Sequence, residues 1–367
     1  MIFKNTKNFF LKERGNKFYR TLDYYIGIPL VFIIGFFRIK RKNIVSNIKS
    51  IGLLKTAGIG DTIILSAIIR DIKYSFPDIK IVLFTGGNNY DAAKIIIDNN
   101  IIIEKISFLN IIKSIKILNK YQFDYFIDFD PWPRINALLS FFSNSRVKIG
   151  FKTKKQFRHY IYDFTIEHSN KIHEIENYRN LVKFFIKNFK FTPEIKVDIN
   201  KKFNYAIVHM YAGGINSYLK ELDESQYIDL IENIIPFFDK VYLTGSKDDQ
   251  EKIERIRKIL NDKKVVSIAG KLDLKGVIKL IAISKVVISV NTGIMHIAAA
   301  IGTPLIALHG PTNPKRWGPL SKNAVIIKST LKCSPCLNLG FEYGCKTNNC
   351  MKAINFNEIV NEVKKII

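Results

Sequence analysis

Acidic residues are scarce in this chain. Its 367 residues hold 32 Asp and Glu against 57 Lys and Arg, a formal net charge of +25. That excess favours anionic partners: a phosphorylated glycolipid, an acidic membrane surface or nucleic acid. Nucleic-acid signatures are also missing, with no zinc-finger spacing and no RNP-like aromatic strand, so no nucleic-acid partner is expected. Cysteine numbers only four, all between 333 and 350, which excludes a disulfide-stapled secreted scaffold. No Gly-Lys-Ser/Thr follows Gly60, so a P-loop is excluded. Gly58-Ile59-Gly60 lacks the third glycine of a dinucleotide fingerprint. No small-residue cleavage pattern follows the apolar run Tyr24–Phe37, only Arg38, Lys40, Arg41 and Lys42, which argues against a signal peptide.

Hydrophobic residues make up 47% of the chain, ample for packed cores. The length suits two domains of about 150 to 180 residues each. Residues 1–46 stand apart. Their uncharged run, YYIGIPLVFIIGFF, is 14 residues long, short of the roughly 20 a membrane-spanning helix needs. Two readings are open: an interfacial anchor held to anionic lipid by basic flanks, or a helix buried against the next domain.

From Ile48 strands and helices alternate, which predicts a mostly parallel sheet over residues 47–190. NIKSIGLLKTAG reads as a buried strand ending in the turn Gly58-Ile59-Gly60, and Asp61 opens the helix DTIILSAIIRDIKYSF. Asp61 is therefore either a helix cap or a carboxylate presented at the strand's carboxyl edge. Asp128 and Asp130 end a later strand, again as caps or as site groups. The stretch from Ser145 to Phe164 is basic with interleaved aromatics. It reads as a loop whose Arg146, Lys148, Arg158 and His159 either meet a ligand's phosphates or lie in solvent. His173 and Glu174 begin an amphipathic helix, and a linker follows around 190–203.

A second alternating segment spans residues 204–350. Gly213 and Gly214 let backbone approach a ligand closely, and Lys220 follows on the same loop. Thr244 and Gly245 close a strand. The segment culminates in SVNTGIMHIAAAIGTPLIALHGPTNP, Ser289 to Pro314. A strand hands over at Asn291, Thr292 and Gly293 to a small-residue helix carrying His296, and a second strand ends in Gly310-Pro311-Thr312-Asn313-Pro314. In an open α/β sheet that handover is the ligand-binding edge, and the first N–H groups of the helix favour an anion. Cys333, Cys336, Cys345 and Cys350 have the ligand count of a structural zinc site, the alternative being free or paired thiols. Residues 351–367 close the chain as a helix.

Thr292, Gly293, His296, Gly310, Pro311, Thr312 and Pro314, with Gly60-Asp61 and Lys220, resemble the signatures of glycosyltransferase family 9, the heptosyltransferases of lipopolysaccharide core synthesis. Asn291 stands where that family has an acid, and the usual Trp after the lysine is absent. The resemblance implies a GT-B type α/β fold, two Rossmann-like domains facing across a cleft, here with a short N-terminal apolar and basic extension and a terminal helix crossing back to the first domain. It implies an inverting, metal-independent transfer of a heptose or related sugar from a nucleoside-diphosphate donor, ADP-heptose first, to a lipopolysaccharide core or other glycolipid acceptor. Asp61 would be the general base. Lys220, Asn291, Thr292, Gly293, His296, Thr244 and Gly245 would bind the donor, with His173 and Arg146 on the acceptor side. No cofactor is required on this reading. The protein would be cytoplasmic, peripheral on the inner face of the cytoplasmic membrane. An epimerase-like enzyme on the same fold and a non-catalytic nucleotide-sugar-binding protein are the alternatives.

Overall fold

The computed structural model describes residues 17–41, 43–98, 100–214, 216–337 and 345–367. The first part of the N-terminal extension and Lys42 thus lie outside the described residues, as do 338–344 between the second and third cysteines. The chain divides into two compact units, Met1–Ser169 with Glu174–Phe191, and Asn170–His173 with Thr192–Ile367.

In the first unit six strands, β1 (Ser50–Lys55), β2 (Lys80–Thr85), β3 (Ile102–Lys105), β4 (Phe123–Asp128), β5 (Ser145–Lys152) and β6 (Phe164–Glu167), form one sheet in the order β3-β2-β1-β4-β5-β6. All neighbouring pairs are parallel. β1 is buried from Ile51 to Lys55, as befits a central strand covered on both faces. The second unit repeats the plan with β7 (Tyr205–His209), β8 (Lys240–Thr244), β9 (Val265–Ser267), β10 (Val286–Val290), β11 (Leu305–His309) and β12 (Ala324–Lys328), in the order β12-β11-β10-β7-β8-β9. Counted from its own first strand, each sheet has the Rossmann order 3-2-1-4-5-6. The order reverses beside the first strand, so the ligand-binding switch points fall at the carboxyl ends of β1 and β4, and of β7 and β10.

The N-terminal extension forms two helices, Lys17–Tyr25 and Gly27–Phe37. Together Phe18–Phe37 make 20 residues, long and apolar enough by length and composition to cross a membrane, which the shorter run counted in the sequence is not. One face is docked on the first unit. Val31 is fully buried, and Cβ atoms built on Gly27 and Gly35 would meet Arg134 at 3.0 Å and Tyr160 at 2.5 Å. Both glycines are thus contact positions. The other face leaves Phe36, Phe37 and Ile39 78–93% exposed. The basic flank is partly engaged: Arg38 pairs with Asp163 at 2.7 Å, and Lys40 donates to the His159 carbonyl at 3.1 Å.

One further expectation is corrected. The basic stretch from Ser145 is not one loop, because its first eight residues are β5. Lys148 and Arg158 in it are buried; burial pushes the Lys148 ammonium down to about 8. The closing helix is Phe356–Ile366. Ile359 and Val363 are fully buried in the core of the second unit with Ile306 and Leu308.

Candidate active site

At the switch point of the first sheet the chain leaves β1 through Thr56 and turns at Gly58, whose φ of +94° is a left-handed conformation that only glycine adopts without strain. The helix Ile59–Ser75 opens with Gly58 as its N-cap, and no side chain caps it. Asp61 is therefore not the cap. It sits in the first turn with its carboxylate against the bare Gly58 Cα, where a built Cβ would lie 2.3 Å from Asp61 Oδ2. Asp61 Oδ2 stands 3.4 Å from Lys55 Nζ, and the two side chains are 30% and 2% exposed.

Lys55 is the last residue of β1, and its ammonium also pairs with Asp130 Oδ1. The other Asp130 oxygen accepts from Thr56 N at 2.6 Å, Thr56 Oγ1 at 2.7 Å and Asn136 Nδ2 at 2.8 Å. Burial alone would lower the Lys55 pKa, but the Asp130 and Asp61 carboxylates outweigh it and hold it above the usual value. Burial likewise opposes ionisation of Asp130, and Lys55 with the Thr56 donors outweighs that in turn. Breaking such a pair by removing one partner typically costs about 3–5 kcal/mol. Asp128 is engaged separately, with Arg158 and Tyr162. Neither acid caps the following helix. Asp23 accepts from its Ile135 N instead.

Arg146, expected on the acceptor side, is at the other edge of this sheet. The register pairs Phe123 with Ser145 and Asp128 with Gly150, so Arg146 is level with Asp124, to which it donates at 3.4 Å. Asp124 in turn accepts from Ser50 N at the start of β1. Asp61 follows the end of β1, about 17 Å away at roughly 3.3 Å per residue.

In the second unit β10 ends at Val290, and Thr292 is the N-cap of the helix Gly293–Ile301. Asn291 Nδ2 donates to the Trp317 carbonyl at 3.1 Å. His173 Nε2 lies 3.0 Å from the neighbouring Gly318 carbonyl. His173, expected on the acceptor side, thus belongs to the second unit with the Asn291 turn. His296 is buried one turn into the helix, and burial, with His173 and His309 nearby, pushes it down to about 3. His309 closes β11, fully buried, with Nδ1 3.0 Å from Thr312 Oγ1 and Nε2 without a hydrogen-bond partner. His296 and His309 are therefore neutral at pH 7.

Lys220 ends the short turn Ser217–Lys220 and is half-buried. The chain reaches it through Gly214 at φ +100°. Thr244 Oγ1 is engaged 2.8 Å from His209 Nδ1. A Cβ built on Gly245 would come 2.5 Å from the Ile253 Cδ1 and 3.0 Å from the Asp249 Cβ. All four cysteines are free thiols. Among the described residues no three His, Cys, Asp or Glu side chains are grouped to hold a metal. Cys350 is buried under the Gly310 turn, where a built Cβ would lie 3.1 Å from its Sγ.

The residue that sequence reasoning missed is Lys55. Its signal was a charged residue ending an apolar strand ahead of a glycine turn, since a lysine so placed needs a carboxylate.

Against known proteins, the sequence profile of glycosyltransferase family 9 (heptosyltransferase) matches residues 111–346. The lipooligosaccharide heptosyltransferase 2 of Haemophilus ducreyi is 42% identical over 107 residues, 28% of this chain and 31% of that one. The chain thus covers about a third of that relative's length. The lipooligosaccharide heptosyltransferase 2 of Campylobacter jejuni serotype O:2 is 24% identical over 322 residues, 84% of this chain and 95% of its own. Among solved structures, heptosyltransferase II of Escherichia coli superposes with a TM-score of 0.69 at 19% identity, covering 86% of this chain and 98% of that one. An E. coli heptosyltransferase solved with ADP gives 0.68 at 18%, covering 87% and 100%. The fold is accordingly of the GT-B type. By the extent of the profile match, the chain belongs to glycosyltransferase family 9.

Proposed function

We propose that this chain is an inverting glycosyltransferase that moves a heptose from ADP-heptose to a lipopolysaccharide core acceptor. The observation that carries the reading is Asp61, a partly exposed carboxylate at the switch point of the first sheet with a buried ammonium behind it. The structures of E. coli heptosyltransferases with ADP and with ADP-2-deoxy-2-fluoro heptose support the choice of donor.

In the transfer Asp61 takes the proton of the acceptor hydroxyl. The freed oxygen attacks the anomeric carbon as the bond to the diphosphate breaks, and ADP leaves with the electron pair. General-base assistance of this kind contributes about a hundred- to ten-thousandfold. Lys220 and the N–H groups at Thr292–Gly293 stabilise the charge that grows on the diphosphate, the part a metal ion takes elsewhere. Asp128 and Asp130 are already committed to Arg158 and Lys55. A neutral His296 offers the helix N-terminus a donor without a charge to desolvate. The exposed apolar face of Phe18–Phe37 rests on the cytoplasmic face of the inner membrane, beside a lipid-borne acceptor.

Purified protein with ADP-heptose and heptose-deficient lipopolysaccharide tests this. Acceptor-dependent release of ADP supports transfer. Acceptor-independent isomerisation of the sugar, or ADP-heptose binding without turnover, contradicts it.

A further inference from the structure

The function proposed above gives Lys55 no step of its own, yet its ammonium is shared by two carboxylates at the switch point, Asp130 and Asp61. At 2% exposure its side chain cannot reach water, so its charge has to be answered within the unit. Asp130 does so fully: one oxygen meets Lys55, and the other accepts three further hydrogen bonds. Asp61 is tied more loosely, at 3.4 Å and part-exposed. The other groups facing Lys55 come from the helix Glu174–Val182. Glu174 is buried and lies 3.1 Å from His168, and the Tyr178 ring centroid is 5.8 Å from Lys55 Nζ. Arg158 is taken by Asp128.

The charge count matters. Within the Lys55–Asp130–Asp61 group one ammonium is paired with two carboxylates, while Glu174 acts on it from farther off, held against His168. A proton arriving here goes to Asp61, because Asp130 has four donors fixing its charge. Once Asp61 is protonated, Lys55 remains paired with Asp130, so no buried charge is left alone during the reaction.

We propose that Lys55 is a positioning residue for Asp61: its ammonium ties Oδ2, while the bare Gly58 Cα walls the carboxylate, leaving the other oxygen to take the proton. The inference rests on Asp61 being the base.

The test is steady-state turnover of the full-length protein with ADP-heptose and heptose-deficient lipopolysaccharide. In Lys55→Met/Asp130→Asn, which removes one charge of each sign together, kcat should fall about tenfold or more while the KM for ADP-heptose stays near wild type. Lys55→Arg, which keeps the cation, should retain most of the wild-type kcat. Should the double variant not fold, Lys55→Gln gives the same reading, since its amide is a donor without the charge. A merely structural Lys55 would change melting temperature in these variants and leave kcat of the folded protein unmoved, which would overturn the proposal. The two readings fail separately. Wild-type turnover in Asp61→Asn removes the base itself, whereas an unmoved kcat in the Lys55 variants with an inactive Asp61→Asn removes only the role of Lys55.

Discussion

Asp23 holds Arg134 across 111 positions of sequence, with Oδ2 3.0 Å from Arg134 Nη1 and Oδ1 accepting from the adjacent Ile135 N at 3.0 Å. The N-terminal helices are therefore built onto the first unit and are not a detachable tail. Two steps from there, Asn136 on the same helix donates to Asp130.

The docked and exposed faces of this segment predict separable effects. Substituting Phe36→Ser/Phe37→Ser should abolish co-sedimentation with anionic vesicles and leave the melting temperature unchanged, because both rings are exposed. Deleting residues 1–46 should lower the melting temperature, since it removes the buried Val31, worth about 1.5–3 kcal/mol. Vesicle binding that survives the double substitution would take the membrane role from this face.

Asn291 is tied by its amide to the Trp317 carbonyl, which sharpens what its acidic counterpart would do. Asn291→Asp loses that donor and sets a carboxylate oxygen against a carbonyl. It should cost about 1–3 kcal/mol in stability and shift relative rates among donor sugars. A thermal melt and a donor panel both matching wild type would show that this amide neither holds the turn nor reads the sugar.

Lys220→Ala should weaken ADP binding. A hydrogen bond to a charged group contributes about 1.5–3 kcal/mol, so affinity should fall roughly 10- to 150-fold by calorimetric titration. Equal affinity for the two proteins would make Lys220 a loop lysine with no part in the donor site.

His296 and His309 set an acid limit on stability. Burial depresses their pKa values to about 3 and about 4, against 6.5 when unfolded. Below pH 6.5 the unfolded chain binds protons that the folded one refuses, so stability falls as the pH drops from about 6.5 toward 4. Each histidine contributes about 1.4 kcal/mol per pH unit across that window. Melting temperature followed from pH 7 to 5 should fall less steeply in His309→Asn than in wild type. Identical slopes would mean that His309 is not held neutral.

The alternation of strands and helices, the glycine turn before Asp61 and the helix opening at Thr292 were legible in the sequence because each is a local pattern. What was misread depends on distant partners. Lys55 acquires meaning only from Asp130, 75 residues on. His173 looked like the start of a helix in the first segment, yet it reaches Gly318, 145 residues away. The lysines and arginines after Ser145 masked the alternation of β5, which placed Arg146 in an imagined loop. Nor does the apolar run itself show that Gly27 and Gly35 are where the helix Gly27–Phe37 touches Arg134 and Tyr160.

Asp61→Asn tests the central claim most directly. The change keeps the shape of the side chain and leaves Lys55 paired with Asp130, so fold and ADP affinity should remain near wild type. Turnover of ADP-heptose with heptose-deficient lipopolysaccharide should fall by at least about a hundredfold, since an amide cannot take the proton. Wild-type turnover in a folded Asp61→Asn protein would contradict the account.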